Sequence, residues 1–131
     1  MKQSIKKMIF YSLLILTSLP LTGCVPLVIG AAAGAGGVAY VGGNLQMNLD
    51  NPVKSVHSAA LDVLKQKGVF VTKDELSRHH SEIKGEFQDG KTVRISTKAL
   101  TERASKIQIR IGVLGDQYHS AEILDAIQEK L

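Results

Sequence analysis

Charged side chains are absent from one long stretch of this chain and frequent in the rest of it. No Asp, Glu, Lys or Arg occurs from Met8 to Leu49, whereas charges are dense from Asp50 onward. A stretch without charges is suited to contact with a membrane, while a charged stretch with interspersed apolar residues folds in water around its own core. The chain therefore divides into an apolar N-terminal region and a C-terminal domain.

Residues 1–23 have the composition of a secretory signal peptide. Three lysines form a basic start, residues 8–19 form an apolar run, and small residues precede Cys24. This run is shorter than the roughly 20 apolar residues that a transmembrane helix needs. We therefore expect residues 1–23 to direct export and to be removed.

The end of this leader, Leu21-Thr22-Gly23-Cys24, resembles a bacterial lipobox. The resemblance implies cleavage after Gly23, a diacylglycerol on the sulfur of Cys24, and acylation of the new amino terminus. Two or more acyl chains give stable membrane anchoring. Residue 25 is Val, not the Asp that holds some lipoproteins in the inner membrane, so we expect the outer membrane, facing the periplasm.

The net charge of +4 reflects the leader more than the domain. Removing residues 1–23 takes away three lysines and no acid, and leaves a net charge of +1. Because nucleic-acid binding depends on a strongly basic surface, we expect no nucleic-acid partner. We expect the membrane, through lipid on Cys24, and an envelope protein or glycan to be the partners.

Residues 24–44 combine the lipidated cysteine with a segment rich in Gly and Ala. A flexible tether is the main interpretation, because Gly-rich chain behaves as random coil. The alternative is a membrane-active segment that inserts or self-associates, with Gly30, Gly34 and Gly37 allowing close backbone approach. Residues 34–39 match a dinucleotide-binding fingerprint loosely, but they lack the preceding strand that such a site requires.

Periodic apolar residues predict seven elements in residues 45–131, in the order β-α-β-β-β-β-α. The strands are expected at residues 45–49, 69–72, 80–87, 93–95 and 107–113, with a turn at 74–77 and a hairpin turn at 89–90. The helices are expected to follow Asn51, as the N-cap, and Gly115-Asp116. The fold class is therefore α+β, a two-layer sandwich with an antiparallel sheet and two helices on one face.

Strand alternation places a set of polar side chains on the other face of this sheet, as a possible docking surface. The set consists of Glu82, Lys84, Glu86, Arg94, Lys106, Gln108 and Arg110. A plain solvated face with cross-strand charge pairs has the same composition, so this interpretation remains open beside the docking one.

No pattern of catalytic or metal-binding residues is evident, so we expect no cofactor, no metal and no enzyme activity. Adjacent His79 and His80 point to opposite sides of an extended chain, and Asp116 with His119 is typical of a helix cap. A hydrolase that uses Ser77, Ser81 or Ser120 with a histidine is the weaker alternative, since no nucleophile elbow surrounds any of them.

The mature chain resembles a family of small bacterial lipoproteins known as a domain of unknown function (DUF3568-like). The residues that carry the resemblance are 23–27, 39–43, 49–52, 112–116 and 123–127. The resemblance implies a lipoprotein with an α+β domain and no particular activity. The leading hypothesis is therefore a membrane-anchored, non-enzymatic domain that binds or organises another envelope component.

Overall fold

The computed structural model describes residues 37–131, which form six strands and two helices in the order β-β-α-β-β-β-β-α. The elements are β1 (Val38–Val41), β2 (Asn44–Leu49), α1 (Val53–Gln66), β3 (Phe70–Leu76), β4 (His80–Glu86), β5 (Thr92–Ala99), β6 (Ser105–Ile111) and α2 (Gln117–Gln128). Within this part of the chain, no helix is long and apolar enough to span a membrane.

The strands form one antiparallel sheet in the order β1-β2-β6-β5-β4-β3. Helices α1 and α2 contact each other and pack on the same side of this sheet, so the fold has two layers. The predicted α+β class is confirmed. The other side, named the open face below, carries neither of the two helices, and it is lined by the more exposed residues of β4, β5 and β6.

The core lies between the helices and the sheet, and it follows the periodicity of the sequence. Ile107, Ile109 and Ile111 are buried at alternate positions of β6. Val56 on α1 and Ile123 on α2 are also buried, as part of apolar stripes at helical spacing. Branched aliphatic residues that alternate along a strand present one apolar face, and that face binds the helices because burial removes it from water.

Strand β1 is an addition to the predicted order, because residues 38–44 were expected to belong to the tether. In the structure Val38–Val41 pair with β2 through a two-residue turn. Gly42 and Gly43 both have positive φ, 57° and 82°, which this tight hairpin turn requires and which glycine adopts without strain. Among the described residues, the sheet therefore begins at Val38. The sequence does not predict this strand, because all four of its residues are uncharged and do not alternate in polarity.

Strand β3 is longer than predicted, since it runs to Leu76 through the expected turn at residues 74–77. The pairing with β4 shifts between Val71 and Lys73, which indicates a β-bulge at Thr72. A bulge inserts one extra residue and moves all later side chains to the opposite face. The bulge hides the alternation of β3, and it turns Asp74 toward the helices.

Two predicted boundaries also differ from the structure. The N-cap of α1 is Pro52, without a side-chain cap, so Asn51 is not the capping residue. The carbonyl of Asn51 instead accepts a hydrogen bond of 2.7 Å from the hydroxyl of Ser105. Strand β6 ends at Ile111, because Gly112 has a φ of 71° and redirects the chain, and Val113 is 84% exposed.

The antiparallel order places the loops at two opposite ends of the sheet. The end where β1 begins, named the proximal end, also holds loops 50–52, 77–79 and 100–104. The distal end holds loops 42–43, 67–69, 87–91 and 112–116. Residues 21–24 of the predicted lipobox lie outside the described residues.

Candidate functional site

The open face gathers all seven residues that the sequence assigns to a possible docking surface. The register places Lys84, Arg94 and Arg110 directly opposite one another across β4, β5 and β6. The remaining four, Glu82, Glu86, Lys106 and Gln108, occupy alternate positions of β4 and β6 on the same side. The structure thus brings the predicted residues together, and their role in docking stays a prediction.

Glu82 is the centre of the charge network on this face. Lys73 Nζ lies 2.5 Å from Glu82 Oε2, and nitrogens of Lys84 and Arg94 each lie 3.6 Å from Oε1. The hydrogen bond from Lys73 is the main cause that lowers the pKa of Glu82, and the same bond raises the pKa of Lys73. An ionised Glu82 therefore offsets the repulsion within a row of cations that face one another across three strands.

Arg110 lies on the open face, but its guanidinium is bound to the protein itself. Its Nη1 donates a hydrogen bond of 2.9 Å to the carbonyl of Gly42, and its Nη2 donates to the carbonyl of Val113. These two carbonyls belong to different loops of the distal end. Arg110 therefore connects the β1–β2 turn to the loop that follows β6, and fewer of its N–H donors are available to a partner.

His57 and Asp74 form a pair beneath α1 that the sequence does not reveal. The Nε2 atom of His57 lies 2.9 Å from Oδ1 of Asp74, and His57 is buried while about half of Asp74 is exposed. His57 follows Val53 by one helical turn, and this spacing signals its inward position. No such signal exists for Asp74, because the bulge in β3 decides which face it occupies.

Asp116 and His119 form the helix cap that the sequence predicts. Asp116 is the N-cap of α2, and its Oδ1 accepts a hydrogen bond of 3.1 Å from the backbone N–H of His119. The ring of His119 lies 2.7 Å from Oδ2. The backbone N–H of His119, followed by its ring, lowers the pKa of Asp116. The carboxylate therefore has a structural role at the helix start.

The three serines considered for catalysis lie in a turn, a strand and a helix. The hydroxyl of Ser77 donates to the carbonyl of His80 in the β3–β4 turn. Ser81 and Ser120 are buried on the helix side of the sheet and in α2. Between residues 37 and 131, no hydrogen bond joins any of these hydroxyls to a histidine ring, and no cluster of three or more metal-ligating side chains occurs.

A six-stranded antiparallel sheet with two helices on one side and one open face defines this protein as a small two-layer α+β domain. The sequence profile of the family described as "Protein of unknown function (DUF3568)" matches residues 6–130. The chain belongs to this family, which confirms the family resemblance. A search of curated proteins found no match. Lipidation of Cys24 stays a prediction.

Proposed function

We propose that this protein is a bacterial lipoprotein, held by lipid on Cys24 at the periplasmic side of the outer membrane, and that its domain binds another envelope component without catalysing a reaction. The lipobox-like residues 21–24 and the uncharged stretch around them support the anchor. The envelope component is a protein or a glycan. The open face is the surface proposed to bind it.

The observation that carries this proposal is the open face itself. Glu82 holds Lys73, Lys84 and Arg94 in one network, so these charges are oriented before any partner arrives. Pre-organised polar groups lose little conformational entropy on binding, which favours recognition. Within residues 37–131, the helices cover the opposite face and leave this one uncovered.

The two histidine–carboxylate pairs support a non-enzymatic role, because both have structural functions. Asp116 caps α2 and orients His119. The pair of His57 and Asp74 joins α1 to β3. A general base must reach a nucleophile or a substrate, whereas these two carboxylates orient imidazoles at the start of one helix and beneath another.

The anchor is tested by the intact mass of the protein purified from bacterial membranes, beside a Cys24→Ser variant. We expect a chain that begins at residue 24 and carries added diacyl or triacyl mass, and we expect this mass to be absent from the variant. An unmodified chain that is cleaved elsewhere would overturn the anchor and would leave the domain unattached.

The docking role is tested by site-specific photo-crosslinking in the cell. A photoreactive amino acid replaces Ser96, which lies on the open face between Glu82 and Gln108. The control position is Lys65, an exposed residue on the outer side of α1. We expect a discrete crosslinked product, protein or glycan, at position 96 only. No product at position 96, or equal products at both positions, would contradict docking through this face.

A further inference from the structure

A groove of about 880 Å³ opens at the proximal end of the domain, and it adjoins the open face only through Lys98, which lies opposite Lys106. It lies between the first turn of α1 and the loops 77–79 and 100–104. Leu76 and Leu100 line it and are 47% and 51% exposed. Two half-exposed leucines beside a cavity form a small apolar surface that a partner or a membrane can cover.

The charges of this groove are unbalanced. Lys54, Arg78 and Lys98 line it, and Glu102 is its one acidic residue. No carboxylate of residues 37–131 lies within salt-bridge distance of these three cations. The cations of the open face differ, since Glu82 binds several of them. The groove therefore presents positive charge that is available to an anion.

The loops around the groove are held by their own hydrogen bonds. In the β3–β4 turn, the backbone N–H of Ser77 donates to the carbonyl of His80 at 2.7 Å. In the β5–β6 loop, the hydroxyl of Thr101 accepts from the backbone N–H of Ala104 at 3.0 Å, and Leu100 bonds to the same residue. The leucines and cations of the groove are thus displayed by ordered turns.

The position of the groove relates it to the chain that precedes the sheet. Strand β1 begins at the proximal end, so the segment between Cys24 and Val38 joins the domain at the end that holds the groove. If Cys24 is lipidated, a membrane is tethered to this end. Tethering converts docking into an intramolecular event, so a weak surface suffices to keep the domain docked.

We propose that this basic groove docks on the anionic phospholipid headgroups of the membrane that carries the anchor. Its cations match phosphodiester groups, and its leucines reach the boundary between headgroups and acyl chains, as in interfacial proteins. Docking by one end orients the strands away from the membrane surface and leaves the open face free for the partner. This inference rests on the proposed anchoring of Cys24.

The absence of tryptophan from the chain allows a direct test. Leu100→Trp introduces a single fluorophore into the groove. Leu114→Trp, the control, introduces one at the distal end, where Leu114 is 89% exposed. The protein purified from bacterial membranes is reconstituted into phosphatidylcholine vesicles with or without phosphatidylglycerol, and quenching by lipids with a bromine or nitroxide label on the acyl chain is measured.

We expect quenching of Leu100→Trp in vesicles that contain phosphatidylglycerol, weak quenching in neutral vesicles, and none of Leu114→Trp in either. Quenching of Leu114→Trp alone would mean that the distal end docks, and it would overturn the proposal. Equal quenching of Leu100→Trp in vesicles with and without phosphatidylglycerol, or no quenching of either variant, would overturn it as well. So would a response of Leu100→Trp to isolated peptidoglycan but not to vesicles.

Charge variants distinguish docking by the groove from a general electrostatic attraction between basic residues and an anionic membrane. In the Leu100→Trp background, Arg78→Gln with Lys98→Gln removes two groove cations, and Lys65→Gln with Lys91→Gln removes two cations from elsewhere on the domain. Each basic residue near an anionic surface contributes about a five-fold factor, so removal of the groove pair is expected to lower the docking equilibrium roughly twenty-five-fold. The other pair leaves it nearly unchanged, and equal losses would contradict docking by the groove.

Flotation with neutral vesicles distinguishes failure of the anchor from failure of the groove proposal. Flotation with these vesicles requires only the lipid attached to Cys24 and not the groove. If the protein does not float with them, the proposed lipoprotein function fails. The same protein is then added from solution to anionic vesicles at a lipid concentration high enough to replace the tether, and there the groove proposal still predicts quenching of Leu100→Trp. If the protein floats but Leu100→Trp is not quenched, the anchor stands and the groove proposal fails.

Discussion

Gly43 and Gly115 bring two loops of the distal end into direct backbone contact. A Cβ on Gly115 would lie 2.4 Å from the carbonyl oxygen of Gly43, and one on Gly43 would lie 2.6 Å from the carbonyl oxygen of Leu114. Arg110 bonds to carbonyls of both loops beside this contact. Two of the sequence segments that carry the family resemblance, residues 39–43 and 112–116, therefore form one structural unit.

Replacing Gly115 with alanine is expected to destabilise the domain through two effects. Its φ is 88°, which strains an L-residue, and the new methyl group would collide with the backbone of Gly43. We expect a loss of about 3 kcal/mol in the free energy of unfolding, measured by urea denaturation. Gly112→Ala is the matched control, because Gly112 has a φ of 71° and open space around it. It should lose only about 1 kcal/mol, and equal losses would refute the close contact.

Removing the charge of Glu82 tests whether this carboxylate holds the open face together. Glu82→Gln leaves Lys84 and Arg94 without a carboxylate partner, whereas Lys73 keeps Glu75 at 3.0 Å, so we expect a loss of about 1 kcal/mol in unfolding free energy. Glu86→Gln on the same strand is the control, since no ion pair of Glu86 occurs within residues 37–131. Added salt should reduce the difference between the two variants by screening the repulsion. A difference that persists in high salt would point to a cause other than charge.

The lowered pKa of Asp116 predicts an acid-sensitive contribution to stability. Because this pKa is lower in the folded chain than in the unfolded one, the contribution is fully present above the ordinary carboxyl value of about 4. It is lost as the pH falls through the lowered folded value. We therefore expect the urea midpoint of Asp116→Asn to fall less than that of the parent between pH 6 and pH 3.

Asparagine at position 116 retains the ability to cap the helix, so this variant isolates the charge. Asp125→Asn, on an exposed position of the same helix, serves as the control and should follow the parent. Identical pH profiles for the parent and Asp116→Asn would show that the cap does not favour the ionised carboxylate.

The pair of His57 and Asp74 is expected to link α1 to β3 energetically. Asp74→Asn should lower the unfolding free energy by roughly 1 kcal/mol, a modest value because half of the carboxylate is exposed. The same change in a His57→Gln background should have less effect, because the partner is gone. A double-mutant cycle measures this coupling, and a coupling of zero would mean that the two groups do not interact in solution.

Strand β6 and both helices follow from the sequence because their signals are local. Ile107, Ile109 and Ile111 alternate with polar residues, and such alternation identifies a strand without reference to its neighbours. Asp116 predicts the start of α2, because its carboxylate can accept a hydrogen bond from a backbone N–H of the first turn. The seven residues of the open face were predictable for the same reason, since alternation assigns every second residue of a strand to one face.

Strand β1, the second half of β3 and the groove depend on contacts between distant parts of the chain. Val38–Val41 become a strand because β2 offers an edge to pair with. Thr72 becomes a bulge because of the register with β4, and this register alone carries Asp74 to His57. The sequence of residues 70–76 shows which residues are charged, but it does not show on which face of the sheet each of them lies.

Composition and periodicity were therefore sufficient for the α+β class, the two helices, the open face and the candidate anchor at Cys24, because each depends on residues that are near one another in the chain. The strand order, the contact of Gly43 with Gly115 and the convergence of Lys54, Arg78 and Lys98 on one groove arose only on folding. The residues of each feature are far apart in sequence. Their proximity depends on all the packing contacts of the domain together, and no local sequence pattern predicts it.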